Sequence, residues 1–359
     1  MKIVYEVMNG EKKAAVIDTQ GHCEIYLPDF MPYSLYLDDS AEDIDTLVNN
    51  ISNFYFWCAS RVLTLDRKYA KVILNSIGAS QGTTDRDRAR IALSYRCVSL
   101  TDICWVKTVD DNARFSDINL FDNHLDNAFV DVALRGKQMT VTNLSPERDL
   151  STNGLFPKAW FRTDDGFRLL KDGEPSAVEN EILASRICRC FNCPQVIYEE
   201  TVYDGEKVSA SGIMTSKDIS IVSREAYEIY AVNHSRNAIE DILHLDAHAY
   251  YMMNILDYLV GNTDRHWGNW GFLVDNSSNR PVSLHPLMDF NQSFQAYDTP
   301  EGANCQTVLP AVMTQKDAAL EAVKHVGLNQ VREVESSWFG DDEAKREMFF
   351  RRLEILKRM

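Results

Sequence analysis

The chain has 359 residues, of which 45% are hydrophobic and 25% charged, a balance that allows two or three packed units and excludes wholesale disorder. Its formal net charge of −16 argues against a broad grip on nucleic acid, because neutralising phosphates takes surplus Lys and Arg. No apolar run approaches the roughly 20 residues that cross a bilayer, and residues 1–8 read as a strand without the apolar core of an export leader. No membrane partner, no direct nucleic acid and a cytoplasmic setting are therefore expected.

Up to about residue 125, strand-like runs occupy 2–8, 14–18 and 23–27. An amphipathic helix follows, with Ile44, Leu47, Val48, Ile51, Phe54, Tyr55 and Cys58 recurring at helical spacing as a core stripe. A second helix is expected over 68–77, closed by Gly78 as its C-terminal cap. Arg86, Arg88, Arg90 and Arg96 cluster on the next segment and read as a solvated helix face, with a docking surface as the alternative. Residues 110–131 are rich in Asp and Asn and mark a boundary.

The stretch 126–216 alternates strands with one helix. Strands at 159–162 and 167–171 flank a turn at 163–166. A helix over 177–190 is announced by Pro175 and Ser176. Strands at 195–201 and 208–215 flank the turn Tyr203-Asp204-Gly205. Cys188, Cys190 and Cys193 crowd together, but a structural zinc site usually takes four ligands in two pairs, so they read as buried or incidental thiols. From 217 to 359 the pattern is mainly helical. A long apolar helix at 246–260 runs into a polar loop, and a last helix at 341–359 turns Phe349, Leu353 and Leu356 inward. Its terminal Lys and Arg residues complement the helix dipole.

The chemistry concentrates at 259–294. Asp264 and Asn269 lie five residues apart on the loop leaving the apolar helix. A strand at 271–274, a turn at 275–280 and a returning strand at 282–288 then deliver Asp289. Phosphoryl transfer needs one carboxylate to take or orient the proton of the attacking hydroxyl, and an amide oxygen and second carboxylate to hold Mg²⁺. The spacing matches the kinase pattern, with Asp264 as base and Asn269 and Asp289 as metal ligands. Asp, Asn and Gly are also ordinary turn residues. The order of apolar helix, polar loop, hairpin and Asp-Phe is what raises the signal.

The run GNTDRHWGN at 261–269, followed by Asp289-Phe290-Asn291, resembles the catalytic segment of HipA-like kinases. That family includes bacterial serine/threonine kinases of toxin–antitoxin systems and the related CtkA proteins; the D-R-H-x-x-N wording is also similar to phosphatidylinositol kinases. The resemblance covers about 150–294 and, loosely, the C-terminal helices. It implies an α+β, bilobal protein-kinase-like fold: a small β-rich N-lobe at 126–216, a mainly helical C-lobe at 217–359, and an extra N-terminal α/β subdomain at 1–125.

With that template, Lys171 becomes the phosphate-binding lysine and Glu181, in preference to Glu179, its acidic partner. The segment Ser151, Thr152, Asn153, Gly154 through Lys158 resembles the family's phosphate loop, and Ser151 matches a serine that is autophosphorylated in some members. Adenine would fall around 213–216, which includes Met214. His266 is expected to hydrogen-bond the catalytic loop into shape. Asn291 stands where Asp-Phe-Gly has glycine, and Asn tolerates the left-handed backbone that this turn would need. The implied function is an ATP- and Mg²⁺-dependent protein serine/threonine kinase with a small DNA-binding antitoxin as partner. A lipid or small-molecule kinase and a non-catalytic partner-binding module are the alternatives.

Overall fold

The computed structural model describes residues 2–62, 84–122, 158–163, 166–295, 299–307 and 313–359. The expected helix at 68–77 with its Gly78 cap, and residues 151–157 of the phosphate loop, lie outside the described residues.

The N-terminal part is a four-stranded antiparallel sheet of β1 (Val4–Asn9), β2 (Lys12–Asp18), β3 (Cys23–Ile25) and β4 (Cys104–Thr108), ordered β3-β2-β1-β4. Helices α1 (Ile44–Ser60) and α2 (Asp85–Ser94) belong to it. Strand β4 was not foreseen. The stripe expected on α1 needs correction, since Ile44 is 78% and Val48 54% exposed. The buried face instead runs through Asn50, Phe54, Trp57 and Cys58. Asn50 takes the inner position because its amide bonds the backbone of the β2–β3 turn and of the loop before α1, donating to Gly21 O and Asp38 O and accepting from Asp38 N–H. The β2–β3 turn comes so close to α1 that a Cβ on Gly21 would lie 2.0 Å from Leu47 O. Hydrophobic periodicity cannot register a polar residue that packs by hydrogen bonding.

The arginine cluster is partly spent on structure. Arg88 donates to Ala59 O and Val62 O, and Arg96 pairs with Asp111 at 2.8 Å. Arg90 remains on the solvated face of α2.

A second antiparallel sheet holds β5 (Lys158–Thr163), β6 (Gly166–Lys171), β7 (Tyr198–Tyr203) and β8 (Glu206–Gly212), ordered β5-β6-β8-β7. The turn between β7 and β8 puts Asp204 and Gly205 at φ 53° and 82°, the hairpin geometry that an Asp-Gly pair favours. Helix α3 (Pro175–Cys188) carries Pro175 in its first turn, where a missing N–H costs nothing. Strand β7 starts three residues later than expected because 194–196 pair elsewhere. Val196 N–H donates to Leu287 O at 2.8 Å and Leu287 N–H to Pro194 O at 3.0 Å. Ala159, Phe167, Leu170, Val208 and Ala210 of this sheet share one hydrophobic core with the N-terminal sheet.

The remainder is built on α4 (Arg224–Asn233), α5 (Ala238–Val260), α6 (Gln315–Val326) and α7 (Glu343–Lys357) around a three-stranded sheet of β9 (Ile219–Ser223), β10 (Gly271–Asp275) and β11 (Arg280–Leu284). The order is β11-β10-β9, so the foreseen hairpin gains an unforeseen third strand. Helix α5 begins eight residues earlier than expected but breaks at Asp246 (φ −154°, ψ 63°). Asp246 Oδ1 accepts Ala249 N–H at 3.1 Å, so the expected helix start is an internal cap. The second core joins α5, β10 and α7 to the inner face of α3, through Ala184, Ile187 and Cys188. Cys188 and Cys190 are buried free thiols within it. No helix among the described residues is long and apolar enough to cross a membrane.

Candidate active site

The chain leaves α5 through Gly261, whose left-handed backbone (φ 63°) closes the helix. Every turn of the loop 261–269 has a hydrogen-bonding reason. Asn262 is wholly buried; its Nδ2 donates to Asp257 Oδ1 at 3.0 Å, while its Oδ1 accepts Asp264 N–H at 3.1 Å. Gly268 N–H donates to His266 Nδ1 at 3.0 Å and Asn269 N–H to His266 O at 2.9 Å, the loop-shaping role expected of His266. Trp267 O accepts Glu225 N–H from the first turn of α4.

Arg265 is the keystone, and its importance was not foreseen. It is 2% exposed and grips Asp257 through two bonds of 2.9 Å. Its remaining guanidinium nitrogen, Nη1, donates to Asn269 O at 2.9 Å and Met288 O at 2.6 Å. One fork therefore ties the end of α5, the loop 261–269 and the residue before Asp289, a use of planar donors that lysine cannot copy. A signal existed in the sequence: Asp257 is the lone acid in the apolar run 247–260. Buried carboxylates require a partner, and Arg265 is the nearest downstream cation.

Asp289 sits in the left-handed region (φ 59°), whereas Asn291 does not. The expectation that position 291 carries that backbone is thus corrected. Here the chain reverses at the acid itself, held by Tyr198, whose Oη accepts Asp289 N–H at 3.1 Å. Lys171, at the end of β6, places Nζ 2.7 Å from Glu181 Oε1 and 3.0 Å from Asp289 Oδ1. It also donates to Tyr198 Oη at 3.4 Å. Glu181 is 1% exposed and accepts Ser209 Oγ–H as well, whereas Glu179 faces solvent. The expected choice between the two acids agrees with this packing.

The electrostatics follow from these contacts. Burial works against the Lys171 ammonium, but Asp289 and Glu181 more than offset it and hold its pKa well above the ordinary lysine value. Burial raises the Asp289 carboxyl, yet Lys171 and then Lys158 outweigh it and keep the group well below the usual carboxylate range. Lys158, opposite Lys171 in the β5–β6 register, thus acts on the site from its first strand residue. Asp264 behaves differently. Desolvation raises its pKa, with Asp289 adding to the rise and His266 opposing it. Its side chain is 42% exposed, so it is the acid of the set that solvent reaches most easily.

Asn269 is buried and spends Nδ2 on Asp264 O at 2.8 Å, which leaves its carbonyl oxygen as the atom suited to a cation. Met214 is half-buried on the connection between β8 and β9, against the helical core. Ser151, Thr152, Asn153 and Gly154 lie outside the described residues. A separate cavity of about 670 Å³ between Tyr33, Leu35, Tyr227 and Tyr230 contains none of these acids, nor Lys171.

No protein-family model and no curated protein matches the chain. Among solved structures, it is similar to HipA in the Shewanella oneidensis MR-1 complex of HipA, HipB and operator DNA. The identity is 14% and the TM-score 0.53, over 99% of this chain and 96% of that one. It also matches the Helicobacter pylori proinflammatory kinase CtkA at 18% identity and a TM-score of 0.41, over 56% of this chain and 87% of that chain. The resemblance to HipA-like kinases read from 261–269 and 289–291 thus holds at the level of the fold.

Proposed function

We propose that the chain is an ATP- and Mg²⁺-dependent protein serine/threonine kinase of the HipA-like kind, acting as the toxin of a toxin–antitoxin pair. One observation carries the reading. Lys171 stands within ion-pair distance of both Glu181 and Asp289, while Asp264 and Asn269 share a loop that Arg265 ties to Met288, next to Asp289. Lys171 lies 118 positions before Asp289 in sequence, and their grouping is the one phosphoryl transfer requires.

The donor set fits Mg²⁺. Among the described residues no three of His, Cys, Asp and Glu cluster as a ready-made cage. Mg²⁺ is typically held by one or two protein oxygens together with phosphates and water, so Asp289 and the Asn269 carbonyl suffice. When bound, Mg·ATP supplies the phosphoryl group and the cation that neutralises its charge. Lys171 and Lys158 would hold phosphate oxygens, with Met214 beside the base. Glu181 keeps Lys171 in place. Asp264 orients an incoming hydroxyl and takes its proton, a role suited to the solvent-accessible acid.

In this reading residues 126–216 and 217–359 are the two lobes, with 1–125 an added subdomain. The similar HipA is in complex with HipB and operator DNA, which supports a small DNA-binding protein as the partner here. The acceptor is a protein hydroxyl, and Ser151 is a regulatory autophosphorylation site. Purified protein given labelled Mg-ATP should incorporate phosphate. Asp264→Ala and Asp289→Ala should each abolish incorporation, and mass spectrometry should find phosphate on Ser151. Full transfer by either variant would refute the mechanism; partner binding without any transfer would favour the non-catalytic module.

A further inference from the structure

Tyr198 belongs to no part of the kinase pattern, yet it touches more of the site than Glu181 does. Its ring is 3% exposed and meets Phe290 edge-on at 6.4 Å. Its hydroxyl receives two donors, the backbone N–H of Asp289 and the ammonium of Lys171. Lys171 Nζ also lies 4.8 Å from the ring centroid. The residue is anchored from behind. Ser185 of α3, fully buried, accepts Tyr198 N–H at 3.2 Å and donates to Val196 O at 3.2 Å. The segment 194–196 pairs with Leu287, two residues before Asp289.

Two routes therefore join α3 to Asp289. One is ionic, from Glu181 through Lys171. The other is made of hydrogen bonds, from Ser185 through Tyr198. Only the second reaches the Asp289 backbone. A non-glycine residue at φ 59° is unfavourable without a partner to hold it, and the Tyr198 hydroxyl is the partner of its N–H.

We propose that Tyr198 is a positioning residue that sets the backbone of Asp289, and with it the direction of the metal-holding carboxylate. The inference rests on the kinase reading of Asp289. It predicts that loss of the hydroxyl weakens metal capture more than metal-free nucleotide contact, since Lys171 keeps Glu181 and Asp289 as partners. The variant is Tyr198→Phe, which keeps the ring on Phe290. Calorimetric titration of ADP at a series of Mg²⁺ concentrations is the measurement. The Mg²⁺ needed for half-maximal ADP binding should rise about tenfold, the ordinary effect of one lost buried hydrogen bond, while ADP affinity without Mg²⁺ falls by a smaller factor. Leu353→Ala, buried in α7 far along the chain, should lower the melting temperature and leave the Mg²⁺ requirement as it was.

An unchanged Mg²⁺ requirement in Tyr198→Phe would overturn the proposal and leave the kinase reading intact. Wild-type protein that binds no ADP with or without Mg²⁺ would overturn both. Should the variant not fold, hydrogen exchange on the wild type decides. The Asp289 amide should exchange slowly, protected by Tyr198, and exchange as fast as an open loop amide would sink the idea.

Discussion

The Arg265–Asp257 pair offers the sharpest test of how the loop is held. Both side chains are nearly dry, at 2% and 6% exposed. Arg265→Met removes the cation and strands the Asp257 carboxylate, which should cost about 3–5 kcal/mol. Asp257→Asn strands the cation in the same way, although the carbonyls of Asn269 and Met288 still accept from it. The double variant Arg265→Met/Asp257→Asn removes both charges and keeps an acceptor for Asn262 Nδ2. What remains is the loss of a donor to those two carbonyls, about 1–3 kcal/mol for each that finds no other partner. The double variant should thus be more stable than Arg265→Met alone, a coupling that additivity forbids. Urea unfolding followed through the fluorescence of buried Trp270 would measure it. Phosphotransfer should behave oppositely. Removing both charges recovers stability but not the tie between the loop 261–269 and Met288, so the double variant should stay at least about 100-fold slow, the scale of a 1 Å misplacement. A double variant as unstable as the two singles summed would refute the ion-pair account. One with full transfer would refute the positioning account.

Three further outcomes follow from the same contacts. Lys171→Met should abolish transfer and lower stability by about 3–5 kcal/mol, because Glu181 and Asp289 lose their shared cation, and Lys171→Arg should not restore transfer, since a planar fork does not replace a compact ammonium. Burial lowers the His285 imidazole to about 4, against the pull of the Pro286 carbonyl and with help from the Arg265 charge. Between that value and an unfolded value of about 6.5 the unfolded chain takes up a proton that the native one refuses, so stability is full above about pH 6.5 and falls by up to about 3 kcal/mol towards pH 4. Denaturation of His285→Phe across that range should show a flatter profile, and an unchanged slope would count against the assignment. Gly271→Ala would bring a Cβ within 2.1 Å of Val222 O, forcing β9 away from β10; the variant should melt well below wild type, and an unaltered melting curve would contradict that pairing.

The parts of the site that were legible are those written locally. Asp264 and Asn269 share one loop, and Asp289 follows one hairpin later, so their grouping follows from neighbouring turns. Lys171 and Glu181 were legible only through a template, since 118 residues separate Lys171 from Asp289. Tyr198 and Arg265 were not legible in their roles, for different reasons. Tyr198 acts through a backbone N–H, which leaves no mark on residue type at position 289. Arg265 stood in plain view beside Asp264, but its four bonds reach Asp257, Asn269 and Met288, and only the folded loop brings those together. Strand β9 stayed hidden because its partner β10 had already been given a neighbour in β11.

The displaced left-handed residue shows how the same turn can be built with different chemistry. In an Asp-Phe-Gly segment the glycine can absorb the reversal at no steric cost. With Asn at 291, the described structure takes the reversal at Asp289, and Asn291 is buried with its Oδ1 lacking any hydrogen bond among the described residues. Asp enters that region more readily than most residues, but the conformation still needs support from outside. Tyr198 and Lys171 provide it, and both are delivered by the second sheet. The carboxylate that would hold the metal is therefore shaped by the second sheet, so motion of that sheet relative to α5 would change Asp289 before it changed Asp264. A variant that loosens this support, such as Ser185→Ala behind Tyr198, should consequently raise the Mg²⁺ requirement more than it lowers the rate at saturating Mg²⁺. Steady-state kinetics across a Mg²⁺ series would separate the two, and a pure loss of rate would place the support for Asp289 elsewhere.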